Sequence, residues 1–192
     1  ALLALSGDAV GGNDHFKESI ASFAGGEVRG EDIILACTHT HSAPESGSIT
    51  DLYQSESFRG WVEELTVAIG RAIGEAVWAA KPCSMSYAVA DAEGLAIHRR
   101  FKTTQGIMMS HPEPAQDIVL SREGAVDNTV NILAFKDADG APVALITNAT
   151  CHPVYEMCLP YISPDYPGEF TEEMERLHPG SVALFLNGAA GN

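Results

Sequence analysis

One apolar stretch that ends in two closely spaced histidines constrains this chain more than any other feature. It runs from Ile33 to Cys37 and continues through His39 and His41 to Pro44. An apolar run stopped by a proline is typical of a buried strand. Side chains two residues apart share one face of a strand, so His39 and His41 would have Cβ atoms roughly 6.5 to 7 Å apart. The stretch therefore predicts a strand that places two imidazoles in one site at its carboxyl end.

A third histidine follows another apolar strand in the same way. The predicted strand over 143–149 ends just before His152, so the sheet could bring His152 beside His39. Imidazole is a common ligand of catalytic zinc, which takes three or four N and O ligands. The alternatives are solvated histidines and a simple turn at His152. Cys37 and Cys151 could supply thiolate ligands, although packing as buried thiols is the favoured interpretation.

Apolar periodicity elsewhere predicts an α/β fold. Steps of three and four residues predict helices over 14–24, 56–80 and 167–177, while apolar runs and alternation predict strands over 1–8, 33–37, 83–89, 131–135, 143–149 and 181–186. About forty residues after position 89 are expected to be mostly irregular. We therefore expect one α/β domain over residues 1–192, with a mixed β-sheet core, flanking helices and a metal site at the carboxyl ends of strands.

Composition excludes several classes of partner. The formal net charge is −15, which repels phosphate backbones, so nucleic acid is not expected as a partner. The sequence has no apolar run of about 18 residues, so no transmembrane segment is predicted.

The four cysteines lack the spacing of a disulfide framework and are expected to be buried free thiols.

The two ends of the sequence suggest a fragment. The chain begins within an apolar run without Met, and Ala1-Leu2-Leu3-Ala4-Leu5 lacks the pattern of an intact signal peptide. At the other end, a predicted strand leads into a glycine-rich loop over 187–192. We therefore expect a fragment of a longer protein.

Further polar residues are candidates for binding or catalysis. Arg99 and Arg100 could clamp the oxygen atoms of a substrate, or could simply be solvated. Asp165 either caps a helix or orients a ligand, and it joins His41 among the candidate catalytic residues. The loop over 187–192 could offer backbone N–H groups to an anion, which makes Gly191 and Asn192 candidate substrate-binding residues.

Taken in order, these motifs resemble the neutral/alkaline non-lysosomal ceramidase family. The resemblance spans nearly the whole chain and rests on five segments together: Thr38-His39-Thr40-His41-Ser42-Ala43-Pro44, His98-Arg99-Arg100, His152-Pro153, Ser163-Pro164-Asp165-Tyr166-Pro167-Gly168 and Asn187-Gly188-Ala189-Ala190-Gly191-Asn192.

The resemblance implies a role for several residues. It implies that His39 and His152 bind a catalytic zinc ion, and that His41 and Arg99 line the site and help to hold the substrate. The family has Asn where this chain has His98, and Asp where it has Asn192. Its two other zinc ligands, a Glu and a Tyr, and its serine nucleophile would fall after position 192.

The function expected from this resemblance is that of a zinc-dependent amidohydrolase. The substrate would be a small-molecule or lipid amide with an N-acyl bond. Because part of the catalytic set would fall after position 192, the chain alone is expected to be a poor enzyme. A non-catalytic metal- or ligand-binding homologue is one alternative, and a metal hydrolase acting on another ester or amide is a second.

Overall fold

The computed structural model describes residues 13–26, 28–44 and 51–191. Within these ranges the helices are α1 (Asn13–Ala24), α2 (Glu56–Trp78) and α3 (Asp165–Leu177). The strands are β1 (Ser84–Asp91), β2 (Arg100–Thr103), β3 (Gly106–Met109), β4 (Val119–Arg122), β5 (Thr129–Lys136), β6 (Pro142–Ala149) and β7 (Val182–Asn187). The predicted α/β class is confirmed. The strand predicted over 1–8 lies outside the described residues.

The main sheet is mixed and has the order β1-β5-β6-β7. Strands β5 and β6 form the predicted hairpin, and the side chain of Asp137 accepts the N–H groups of Asp139 and Ala141 in its turn. Strand β7 runs parallel to β6, with Asn187 opposite Ala149. The segments that follow β6 and β7 therefore emerge at the same edge of the sheet.

The strand predicted over 83–89 is formed as β1, although the alternation in its sequence does not correspond to a buried face. The strand forms and pairs with β5, but all eight of its residues are exposed. Its alternation of larger and smaller side chains places Met85, Tyr87 and Val89 on one face, yet none of the three is buried. Strand β1 lies at the edge of the sheet, where alternation does not by itself give burial.

The segment after β1 is more regular than expected. Strands β2, β3 and β4 form a second antiparallel sheet with the order β3-β2-β4, and Phe101 lies opposite both Met108 and Arg122. Each strand has four residues, and Gly106, the first residue of β3, adopts a φ of 108°. Strands this short leave too little alternation for a sequence pattern to detect.

The predicted strand over 33–37 is wrong. Ile33 has extended backbone angles, but no strand is formed over this run in the described part of the chain. Ile33 instead packs against Phe16 and Ile20 of α1, whereas Ile34 is 89% exposed. The apolar composition of this run therefore reflects contact with a helix. At His39 the backbone turns into the left-handed region, with a φ of 66°.

Helices α1 and α2 pack closely because α2 carries a glycine at their contact. A Cβ atom on Gly70 would lie 2.5 Å from the Cβ atom of Phe23 and 2.6 Å from the carbonyl oxygen of Ile20. Around this contact, buried Phe16 and Ile20 meet Leu65 and Ile69. The close approach leaves no room for a side chain at Gly70.

Replacing Gly70 with alanine is expected to lower the free energy of unfolding by about 1 to 3 kcal/mol, because the helices must separate. Urea denaturation measures the change. Gly60 is the matched control on the same helix, since nothing lies within 4 Å of a Cβ atom there. Gly60→Ala should raise stability by about 0.5 to 1 kcal/mol through helix propensity. Equal effects at the two positions would contradict the packing account.

Candidate metal centre and adjoining cleft

Three imidazoles meet at one point of the structure. His39, His41 and His152 each offer a ring nitrogen, and these three atoms all lie within 4.8 Å of one another. The ring centroids of His39 and His152 are 4.6 Å apart, and those of His41 and His152 are 5.0 Å apart. The Nε2 atoms of His41 and His152 are separated by 3.0 Å. Such a cluster could hold a metal ion.

The sheet edge positions His152 and fixes its tautomer. His152 follows β6, and its Nδ1 lies 2.8 Å from the carbonyl oxygen of Ala190 in the loop that follows β7. A carbonyl only accepts hydrogen bonds, so Nδ1 carries the proton and donates it. The Nε2 lone pair is then directed to His41 and His39. Metal-binding histidines commonly donate their other ring N–H to a carbonyl oxygen in this way, which orients the ring.

A separate loop holds His39 and His41 in place. The carbonyl oxygen of His41 accepts a hydrogen bond from the backbone N–H of Cys158 at 3.2 Å. Between the two histidines, the Thr40 hydroxyl donates to the carbonyl oxygen of Ser163 at 2.7 Å. The two histidines therefore depend on residues more than a hundred positions later in the chain, and not on a strand as the sequence predicted.

Asp165 organises that later segment. Its side chain is 2% exposed, and its two oxygens accept the backbone N–H groups of Glu156 at 2.7 Å and of Tyr166 at 2.6 Å. Its own N–H donates to the Ser163 hydroxyl, which in turn donates to the carboxylate of Glu156. Pro164 and not Asp165 is the N-cap of α3. Asp165 is thus outside the imidazole cluster and supports the loop that holds His41.

The surroundings of His39 and His41 favour the neutral form of these two imidazoles. Partial burial is the main cause that lowers the pKa of His39, and His152, His41 and Arg99 lower it further. Burial and then His152 also lower the pKa of His41, although the Asp165 carboxylate opposes this shift. A neutral imidazole is the form that binds a metal ion.

These lowered pKa values make the stability of the metal-free chain depend on pH. Below the ordinary imidazole pKa of 6.5, the unfolded chain binds more protons at His39 and His41 than the folded chain does. The free energy of unfolding should therefore fall as the pH drops from about 7.5 towards 5.5. Urea denaturation across this range measures the slope. A His39→Gln, His41→Gln double variant should flatten it, and an unchanged slope would contradict the assignment.

The cysteines do not join the cluster. All four are free in the structure, but Cys83 and Cys158 are exposed, which corrects the expectation that all would be buried. Burial raises the pKa of the Cys151 thiol and so disfavours a thiolate. Cys37 packs at the edge of the α1 core. Packing is therefore the better description of Cys37 and Cys151, as the sequence favoured.

A cleft of about 800 Å³ opens beside the histidines. His41 and His152 line one part of it, and the loop residues Ala189 and Ala190 line another. Its apolar wall is formed by Leu95, Ile97, Phe101, Val126, Val154 and Met157. The cleft is thus large enough and apolar enough to hold a ligand with an aliphatic part.

Only some of the remaining predicted site residues border the cleft. Arg99 lines the cleft, whereas the Arg100 guanidinium pairs with Glu123 at 2.5 Å. Gly191 is exposed just beyond the cleft-lining Ala190, and Asn192 lies outside the described residues. The sequence pattern gave no indication of the Ala190 carbonyl or of Glu156. The carbonyl oxygen of Ala190 contacts His152, and that of Glu156 accepts the hydroxyl of Ser42, so each joins segments that are distant in the chain.

Fold and site together define an α/β protein with a candidate metal-binding histidine cluster at the edge of a mixed sheet. Its fold is that of a segment of neutral ceramidase. The crystal structure of neutral ceramidase from Pseudomonas aeruginosa superposes with a TM-score of 0.61 and 22% sequence identity over 92% of this chain. A structure of a ceramidase complexed with C2 gives a TM-score of 0.55 and 22% identity over 82% of this chain.

The superposition confirms the ceramidase resemblance at the level of the fold. The chain spans 28% of the Pseudomonas aeruginosa protein and 24% of the second ceramidase. No protein-family model matches the chain, and no curated protein matches its sequence. Among the described residues, no helix has the length and apolar character needed to cross a membrane.

Proposed function

We propose that this chain forms the histidine-bearing part of a zinc-dependent amidohydrolase that cleaves the N-acyl bond of a lipid-like substrate. The observation that carries the proposal is the convergence of His39, His41 and His152 beside an apolar cleft. The ceramidase-like fold adds a precedent for an enzyme of this class. Residues 1–192 would act as one α/β catalytic-type domain.

The chemistry of the donor set fits zinc. Zinc binds imidazole nitrogen readily, and the tautomer fixed at His152 leaves Nε2 available as a ligand. His39 and His152 would hold the ion, and a bound zinc ion polarises a carbonyl and activates the attacking group. His41 supplies a third nitrogen in the cluster and borders the cleft, where it can contact the substrate.

The other site residues have supporting roles in this proposal. Asp165 positions the loop behind His41 through its two backbone hydrogen bonds. Arg99 would contact the polar part of the substrate, because it borders the same cleft as His41 and His152. Gly191 and Asn192 would offer backbone N–H groups to a substrate oxygen.

Two measurements test the proposal. The purified chain should bind one zinc ion per molecule. The natural polypeptide that carries these residues should release a fatty acid from N-acyl substrates, and a chelator should abolish this release. A panel of matched N-acyl, ester and phosphoester substrates identifies the bond that is cleaved. Failure of the intact protein to bind zinc would remove the proposal.

The second candidate is a homologue that binds a metal or ligand without catalysis. Asn192, at a position where the ceramidase pattern has Asp, is the observation that favours it. Stoichiometric zinc without hydrolysis of any substrate in the panel would support this candidate. Zinc-dependent release of a fatty acid would exclude it.

A further inference from the structure

Two adjacent arginines have different surroundings in this structure. Arg99 lines the cleft together with Phe101, whereas Arg100, between them, does not. This follows from the alternation of side chains at the start of β2. The Nε atom of Arg100 forms an ion pair with Glu123 at 2.5 Å. The two arginines therefore have the same chemistry but only one of them borders the cleft.

Arg99 is a cation that no carboxylate neutralises within the described ranges. No ion pair found over 13–26, 28–44 and 51–191 includes it. The other arginine in the cleft, Arg122, is already engaged, because its guanidinium lies 4.1 Å from the centre of the Phe101 ring and donates to the carbonyl oxygen of His98 at 2.7 Å. Of the two arginines in the described lining of this cleft, Arg99 is therefore the one whose guanidinium has no ion pair with a described residue.

The carboxylates that border the cleft are held in their own loops. Glu113 accepts a hydrogen bond from the side chain of Gln116 at 3.2 Å. Asp127 accepts the backbone N–H of Thr129 at 2.9 Å. Neither forms an ion pair in the part of the chain that the structure describes, so the guanidinium of Arg99 remains available to a ligand.

The positive charge of Arg99 lies near the histidine cluster. Its charge is within electrostatic reach of His39, while His41 and His152 border the same cleft. Leu95 and Ile97 precede it along the apolar wall. A ligand that fills the cleft would therefore meet a cation and two imidazoles of the cluster, those of His41 and His152, as well as an apolar surface.

We propose, on the basis of the proposed function, that the substrate is an N-acyl amino acid whose carboxylate pairs with Arg99. The planar guanidinium can donate two parallel hydrogen bonds to a carboxylate. The acyl chain would lie along the apolar wall, and the amide bond would face the histidines. Because the chain has a net charge of −15, an anionic substrate needs such a local cation to bind.

The test compares two ligands with the same acyl chain. N-octanoylglycine carries a carboxylate, whereas N-octanoylethanolamine is neutral. Calorimetry measures the affinity of the chain for each, with zinc and with a chelator. N-octanoylglycine should bind about tenfold more tightly, and the preference should shrink as salt is added. The preference should disappear in Arg99→Gln and persist in Arg100→Gln, the matched control.

Four outcomes would overturn the proposal. Equal binding of the two ligands, or an unchanged preference in Arg99→Gln, would show that Arg99 selects no anion. A preference that is lost on removal of zinc would assign the carboxylate to the metal instead. Loss of the preference in Arg100→Gln as well would show a general charge effect. If the Arg99-dependent preference holds while zinc fails to bind, the proposed hydrolase fails and the anion site remains.

Discussion

Replacing His152 with alanine is expected to lower the zinc affinity of this chain by at least about a hundredfold. The cost should exceed the 10- to 100-fold loss that follows removal of a supporting group around a metal ligand. His152 is the member of the cluster with a fixed tautomer, because Nδ1 donates to the carbonyl oxygen of Ala190. Its loss leaves His39 and His41, which both lie in the connection between α1 and α2 and are two residues apart.

Competition with a chromophoric chelator measures this loss of affinity. His15 is the control, because it is an exposed histidine on α1 outside the cluster. His15→Ala should bind zinc as the parent chain does. Circular dichroism must show the same helix content in both variants. A His152→Ala chain that binds zinc normally would show that the cluster is not the metal centre.

Replacing Asp165 with alanine is expected to lower the free energy of unfolding by about 3 kcal/mol, since hydrogen bonds to a charged acceptor contribute about 1.5 to 3 kcal/mol each. The substitution removes the buried carboxylate and leaves the partly buried N–H groups of Glu156 and Tyr166 without their acceptor. It also loosens the segment whose Cys158 N–H binds the carbonyl oxygen of His41. Zinc affinity should therefore fall together with stability.

Asp127 provides the comparison for Asp165. It too accepts a backbone N–H, from Thr129, but it is exposed, so water can replace it. Asp127→Ala should change the urea midpoint much less than Asp165→Ala. Asp165→Asn, which keeps one acceptor oxygen, should be intermediate in both stability and zinc affinity. Equal midpoints for Asp165→Ala and Asp127→Ala would contradict the role assigned to Asp165.

Local patterns predicted the elements whose structure depends on neighbours in sequence. Strands β5 and β6 were predicted because alternating apolar residues flank a turn that Asp137 closes. The position of His152 followed from the end of β6. Helices α1 and α2 were recognised from periodic apolar residues, of which Phe16 and Ile20 are buried.

Patterns failed where distant segments decide the structure. The run from Ile33 to Cys37 is apolar because it packs on α1, and composition alone does not separate this from pairing in a sheet. The left-handed backbone at His39 has no sequence signal, because only a few per cent of non-glycine residues adopt it. The hydrogen bonds from the Thr40 hydroxyl to the Ser163 carbonyl oxygen and from the Cys158 N–H to the His41 carbonyl oxygen join residues more than a hundred positions apart.

Zinc-edge X-ray absorption of the zinc-loaded chain tests most directly whether His39 and His152 bind one metal ion. We expect the zinc ion to have nitrogen or oxygen neighbours at about 2.0 to 2.1 Å. The spectrum should show imidazole scattering from at least two histidines and no sulfur neighbour. The imidazole signal should weaken in His152→Ala. A sulfur neighbour at about 2.3 Å, or a spectrum without imidazole, would contradict the claim.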